Sequence, residues 1–409
     1  MGQINKIIVS LNFEKNNEIE VGELIADKKE IYFKYYKSFI DKGIEISPLK
    51  LNLSNKIYQA EPIPFDRLFG VFSDSLPDGW GKLLVDRKLI SEGINLNEIS
   101  NLDRLSFVGL NGLGALTYRP IFSEHFFERE SLELDIISNE VKEVLEGKSF
   151  DLLEDLYNLG GSSGGARPKI MVGYNPKTDH LVYGKNVLPE GYEHWIIKFP
   201  SSQDRVDIAN IEYAYYKMAN AVGLEMSESK LFTGKSGNVY FGTKRFDRSK
   251  DARFHMHSAA GLMNDNFRLS NLDYGHLMDC AFLLEKDIRA YDKVLALAAF
   301  NVFSNNRDDH SKNFSFLMDR NGKWKFAPAY DLTFSSSSHG FHSTMIAGES
   351  KQPSTSDLMK LVNHFRIANG DKIIKSMKEV VSNWEYFAKE ANVETASRKI
   401  ISDAIRKVK

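Results

Sequence analysis

The residues with the clearest capacity for chemistry are Asn306-Arg307-Asp308-Asp309-His310-Ser311-Lys312-Asn313. An Asp followed five positions later by an Asn, here Asp308 and Asn313, has the spacing of a kinase catalytic loop. There the Asp meets the attacking hydroxyl and the Asn holds Mg²⁺. A further carboxylate, Asp331 in Tyr330-Asp331-Leu332, can supply the second metal ligand. Phosphoryl transfer needs this set because the transferred group is highly negative: cations must screen it, and an acceptor-only side chain must orient the nucleophile. Asp309 rivals Asp308 as base, and the spacing to Asn313 favours Asp308. His310 and Lys312 are candidates to contact the γ-phosphate, and His310 is equally readable as a structural hydrogen-bonding residue.

Two upstream segments could complete such a site. Gly160-Gly161-Ser162-Ser163-Gly164-Gly165-Ala166-Arg167-Pro168-Lys169 can cradle phosphates through backbone N–H groups, since glycines permit close approach and unusual dihedrals. It is no Walker A motif, because Gly-Lys-Ser/Thr is missing; its alternative reading is a flexible linker. Lys198 sits on the apolar strand Trp195-Ile196-Ile197-Lys198-Phe199, where a cation is costly unless it faces an anion. A nucleotide's phosphates and the helical Glu212 are the expected partners, against the plainer readings of an edge-strand lysine and a helix-surface acid.

The elements that must position these groups follow from periodicity. Residues 1 to about 60 read as β-rich, with strands at Ile7–Leu11 and Glu30–Phe33. Pro77-Asp78-Gly79-Trp80 is a turn signal, and helical periodicity resumes from Trp80. Helix-like patterns cover 132–157. Strands are expected at 170–174, 194–199 and 239–246, the last a candidate interlobe hinge. An amphipathic helix spans 208–223 and ends at Gly223. From about 255 the pattern is mainly helical, apart from a strand-turn-strand at 314–326 that turns at Arg320-Asn321-Gly322. The expected fold is α+β: a two-lobed, protein-kinase-like chain with a β-rich N-terminal subdomain (1–115), a kinase N-lobe (116–246) and a mainly helical C-lobe (247–409).

Composition narrows the alternatives. With 53 basic and 55 acidic residues the net charge is −2, a poor match for binding nucleic acid by charge alone. One cysteine, Cys280, excludes an internal disulfide framework, reads as a helix-core residue and fits a reducing cytoplasm. The N-terminus does not read as a signal peptide, and no run approaches the roughly 18 apolar residues of a membrane span. His255-Met256-His257 and His339-Gly340-Phe341-His342 have metal-like spacings but no nearby cysteine, so zinc is not expected. No Gly-x-Ser-x-Gly elbow supports a Ser-His-Asp hydrolase.

Together these motifs resemble the HipA family of bacterial serine/threonine kinase toxins over nearly the whole chain. Phe65–Phe72 with Ser75-Leu76-Pro77-Asp78-Gly79-Trp80-Gly81 resembles the family's N-terminal signature. Ser162–Lys169 resembles its Gly-rich loop, His194–Pro200 its ATP-lysine strand, and Lys244-Arg245-Phe246-Asp247-Arg248 its hinge. Asp308–Phe314 and Ala329–Leu332 resemble its catalytic and metal-binding elements.

The resemblance implies an ATP- and Mg²⁺-dependent protein-serine kinase. Its substrate in known members is an aminoacyl-tRNA synthetase, and blocked charging halts growth. It implies a helix-turn-helix, HipB-like antitoxin that also represses the operon, so that DNA is met only indirectly, and no membrane role. ATP would be held by Ser163, Gly164, Gly165, Ala166, Lys169, Lys198, Glu212, Arg245 and Phe246. Mg²⁺ would be held by Asn313 and Asp331, with Asp308, His310 and Lys312 at the chemistry. Autophosphorylation of a loop serine would switch the kinase off. Ser162 matches that serine, and Ser163 beside it leaves the position open. Arg167-Pro168 departs from the acidic or amide residues of the best-studied members. The N-terminal subdomain is fused here, unlike split systems where it is a separate antitoxin. Two competing readings are a corepressor that mainly binds its antitoxin and a small-molecule phosphotransferase. Intact Lys198, Asp308, Asn313 and Asp331 argue against the first, and the Pro77–Trp80 segment against the second.

Overall fold

The computed structural model describes residues 4–14, 17–121, 133–148, 153–161, 164–183, 187–250, 252–337 and 340–408. Alternating apolar residues build the first sheet. In β1 (Lys6–Glu14), Ile7, Val9, Leu11 and Phe13 are all buried, as expected of a strand with one face on a core. β2 (Asn17–Asp27), β3 (Glu30–Tyr35) and β4 (Ile57–Gln59) follow antiparallel, each beside the last. β5 (Leu116–Arg119) returns to pair with β1, Ile8 opposite Arg119. The first sheet therefore includes residues as far as Arg119.

The second sheet contains β6 (Lys169–Asn175), β7 (His180–Tyr183), β8 (Glu193–Lys198), β9 (Ser229–Thr233) and β10 (Val239–Lys244), in the order β7-β6-β8-β10-β9. Helices Gly79–Ser91, Leu134–Glu146 and Leu153–Gly160 supply Trp80, Leu84, Ile137, Val141, Val144, Leu156 and Leu159 to its core. These meet Ile170, Val172, Trp195, Ile197 and Tyr240 from the strands. Each such fully buried side chain contributes on the order of 1.5–3 kcal/mol. The helix after the Pro77-Asp78-Gly79 turn thus belongs to the core of the Gly-rich-loop lobe, not to that of the first sheet.

The chain then crosses back. β11 (Arg248–Ser249) and β12 (Ala252–Arg253) form a short ribbon whose Ala252 pairs with Glu14 of β1. β13 (His255–Ser258), β14 (Ser315–Met318) and β15 (Trp324–Phe326) make a third, antiparallel sheet. The histidines of β13 are structural. His255 Nε2 lies 2.8 Å from the Ile46 carbonyl; His257 lies 2.6 Å from Asp74 and 3.0 Å from Ser47 Oγ. The Ser47–His257–Asp74 relay has the order of a hydrolase triad. Yet Ser47 and His257 are 1% and 0% exposed, which seals both against any substrate.

Helix Arg289–Ser304 is the axis of the C-lobe, with Val294, Leu295, Leu297, Phe300 and Phe303 buried among helices Tyr274–Glu285, Thr355–Phe365 and Gly370–Ser382. It ends at Asn305, whose φ of +56° is the left-handed stop that asparagine tolerates, and this turns the chain into residues 306–314. Cys280 is buried in helix Tyr274–Glu285, where burial pushes its thiol up to about 12. Among the described residues, no helix is long and apolar enough to cross a membrane.

Candidate active site

The segment after Asn305 is fixed from beneath by a buried polar chain. Asn306 donates to Asn301 Oδ1, Asn301 donates to the Tyr274 hydroxyl, and Tyr274 donates to Asp309 Oδ2, at 3.0, 2.8 and 3.0 Å. Asp309 also accepts from the Ser343 and Thr344 amides, and His342 Nδ1 lies 3.0 Å from it. Satisfied on every side and 1% exposed, Asp309 is an anchor, with no access to a substrate. Its neighbour Asp308 points the other way, its side chain 61% exposed. Burial of the cleft floor pushes the Asp308 carboxyl up, with Asp331 and Asp309 reinforcing and His310 opposing. His310 Nε2 stands 3.9 Å from Asp308 Oδ1, its ring packed against Phe267. Asn313 donates to the Asp308 carbonyl at 2.7 Å, which fixes its amide beside Asp308.

Asp331 adopts φ of +53° and turns its carboxylate into the same cleft. Across from it, Lys198 on β8 donates to Asp331 Oδ1 and, at 2.9 Å, to Glu212 Oε2 of helix Ile208–Ala221. Glu212 is 3% exposed and also accepts from Arg167. Burial pushes Lys198 down to about 8 against the pull of Asp331, with Lys169 and Arg167 adding to the depression. Burial would raise Asp331, but Lys198, Lys169 and Arg167 together outweigh it and hold the carboxyl well below the usual range. Lys198, Lys169 and Arg167 thus all act on Asp331, while Glu212 and Asp204 share Lys198 and Arg167.

The Gly-rich loop closes the cleft. Lys169 folds back to donate to the Gly164 carbonyl at 2.6 Å. Gly165 adopts φ of +89°, in the left-handed region that favours glycine. Ala166 lies against Gly79. Arg167 Nη2 donates to Asp204 at 3.1 Å. Ser162 and Ser163 lie outside the described residues.

The structure brings Asp308, His310, Lys312, Asn313, Asp331, Lys198, Glu212, Lys169, Gly164, Gly165 and Ala166 around one cleft. It corrects the reading of Arg245. That guanidinium is turned from the cleft into a buried double hydrogen bond with Asp247, at 2.9 and 2.7 Å, and its amide donates to the His194 carbonyl at 2.8 Å. Phe246 packs on Tyr330, 5.3 Å between rings. Sequence reasoning missed the partner of Lys312. Its ammonium donates to Asp78 Oδ2 at 2.5 Å and lies 4.8 Å over the Phe267 ring.

A metal fits the donor set in one way. Among the described residues no group of three or more His, Cys, Asp or Glu could hold an ion. Asn313 and Asp331 offer hard oxygen donors. A Mg²⁺ there would need phosphate and water oxygens to complete its shell, as is usual for that ion.

Comparison with known proteins agrees with this architecture. The chain is 26% identical over 400 residues to Y4mE of Sinorhizobium fredii, named as a candidate kinase, covering 91% of this chain and 84% of that protein. A second similarly named protein, from Haemophilus influenzae, is 25% identical over 190 residues, covering 43% of this chain and 55% of its own length. A chain in the Shewanella oneidensis complex of toxin–antitoxin HipA, HipB and operator DNA superposes with a TM-score of 0.69 at 16% identity. That match covers 98% of this chain and 95% of the other, and so shares the two-lobed kinase-like fold. Residues 15–119 match the HipA N-terminal domain and residues 161–404 the HipA-like C-terminal domain: the chain belongs to the HipA family.

Proposed function

We propose that this protein is an ATP- and Mg²⁺-dependent protein-serine kinase, the toxin of a HipA/HipB-like toxin–antitoxin module. The observation that carries this reading is the meeting of Lys198, Glu212 and Asp331 with Asp308 and Asn313 in one cleft, Lys198 and Asp331 lying 133 positions apart in the chain. Lys198, oriented by Glu212, would neutralise the α- and β-phosphates. Asn313 and Asp331 would hold Mg²⁺, whose bound charge screens the transferring group. Asp308 would accept the proton of the serine hydroxyl as it attacks, its carboxyl raised above that of an ordinary aspartate and so made a better base. His310 and Lys312 lie beside that path.

The substrate class we favour is an aminoacyl-tRNA synthetase or another translation protein. The partner we favour is a helix-turn-helix antitoxin of the HipB type, with DNA reached through it; the Shewanella complex holds such a partner with operator DNA. Net charge of −2 supports indirect DNA contact. We further propose that the enzyme modifies its own Gly-rich loop at Ser162 or Ser163. A phosphoserine there, carrying about −1.5 to −2 charges, would repel nucleotide phosphates and open the loop. Phosphoproteomics of cells expressing wild type against Asp308→Ala tests the substrate. Mass spectrometry of purified protein after incubation with Mg–ATP tests the loop. A substrate list unchanged by Asp308→Ala would refute the kinase reading; phosphate only on Ser335–Ser338 would refute the loop switch.

A further inference from the structure

The Pro77-Asp78-Gly79-Trp80 turn lies before the Gly-rich loop's lobe, yet it grips that loop. The Gly165 amide donates to Asp78 Oδ1, the Trp80 amide donates to the Gly165 carbonyl at 3.0 Å, and the Trp80 indole donates to the Lys169 carbonyl at 3.1 Å. Gly79, at φ of +46°, lies so close that a Cβ would run into Gly165 O and Ala166 Cα. Asp78 occupies the N-cap of helix Gly79–Ser91 but makes no side-chain cap bond. An N-cap aspartate ordinarily stabilises its own helix by about 1 kcal/mol. Here the carboxylate is turned instead to two elements of the cleft. Its second oxygen takes the Lys312 ammonium at 2.5 Å, and Asp78 is the ion-pair partner of Lys312 among the described residues. Both groups are about four-fifths buried, at 20% and 19% exposure.

We propose that Asp78 is a positioning residue for phosphoryl transfer: Oδ1 anchors the Gly-rich loop at Gly165, and Oδ2 holds the Lys312 ammonium until a phosphate takes it. The inference rests on the kinase reading above. A bare carboxylate beside a triphosphate would repel it, so the Lys312 pair explains how an acid can sit under this loop. The two oxygens have separable duties. Asp78→Asn keeps an acceptor for Gly165 but releases Lys312 from a competing anion. Asp78→Ala removes both.

The test measures exchange of the Gly165 amide in nucleotide-free protein, and KM for ATP against kcat, in wild type, Asp78→Asn and Asp78→Ala. Asp78→Ala should speed Gly165 exchange and raise KM, each by about tenfold, as expected for loss of a charge-assisted hydrogen bond. Asp78→Asn should leave that exchange within about twofold of wild type and lower KM about threefold, the scale of a partly exposed ion pair. KM moving in opposite directions is not what a merely structural tether produces. Unchanged Gly165 exchange in Asp78→Ala, or KM shifting the same way in both variants, would overturn the proposal. The exchange measurement needs no nucleotide. A wild type inert toward Mg–ATP would therefore refute the kinase reading and Lys312's role, while exchange alone decided the loop anchor.

Discussion

Asp308 and Asp309 are adjacent in the chain and opposite in environment: the first opens into the cleft with 61% of its side chain exposed, and the second is sealed among Tyr274, His342, Ser343 and Thr344. One is placed to meet a substrate and the other to hold the loop that presents it. Substitution should separate these duties. Asp308→Asn keeps shape and removes the base. It should lower turnover by roughly 10²–10⁴ with little change in ATP affinity or melting temperature. Asp309→Asn keeps an acceptor for the Ser343 and Thr344 amides but sets an NH2 against the Tyr274 hydroxyl and His342, and should cost about 1–3 kcal/mol of stability. Denaturant melts and initial rates on both variants check this. A stable Asp309→Asn protein with the larger loss of turnover would reverse the assignment.

The pH profile of kcat/KM, which reports the free enzyme, should carry two limbs. On the proposed mechanism Asp308 acts as the carboxylate, and its carboxyl is pushed up, so activity should fall on acidification through a value above that of an ordinary aspartate. Lys198 works as the ammonium and is pushed down to about 8, so activity should fall again as the pH rises past about 8. Lys198→Arg keeps a charge through that range and should remove the alkaline limb. An alkaline limb that survives this substitution would assign it to another group.

Asp247 carries a stability prediction. It is 4% exposed and binds Arg245, Arg248 and the Gly114 amide, which fastens the end of β10 to the first sheet's loops. Burial opposes its charge, but the two guanidinium groups prevail and hold the carboxyl well below its usual value. Its stabilisation is therefore complete above the ordinary carboxylate range and lost as the pH falls through and below it. Asp247→Ala leaves two buried cations unpaired and should cost about 3–5 kcal/mol at neutral pH. It should also flatten the acid limb of the stability curve, read as the denaturation midpoint against pH.

What the sequence made legible was local. Asp308 and Asn313 are five residues apart, and Lys198 stands out as a cation in an apolar strand, so each could be singled out without knowing the fold. The contacts that tune the site are distant: Lys312 meets Asp78 across 234 positions, and Arg167 meets Glu212 across 45. No periodicity encodes such pairs. Arg245 looked available because a hinge motif does not show that Asp247, two residues on, claims its guanidinium. β2 was hidden because its outward face carries Glu18, Glu20 and Glu23, and β13 because its histidines look like ligands rather than strand residues. The pairing of β5 with β1 depends on a partner a hundred residues earlier, which no local pattern names.

In the proposed site Asp331 and Asn313 hold the cation on which phosphoryl transfer depends. Transfer of the labelled γ-phosphate of ATP to protein serine, in Mg²⁺ and in chelator, for wild type and Asp331→Ala, tests it most directly. Wild type should transfer in Mg²⁺ alone, and Asp331→Ala should lose transfer with its melting profile kept. Substantial turnover by Asp331→Ala at saturating Mg–ATP, or transfer by wild type that persists in chelator, would contradict it.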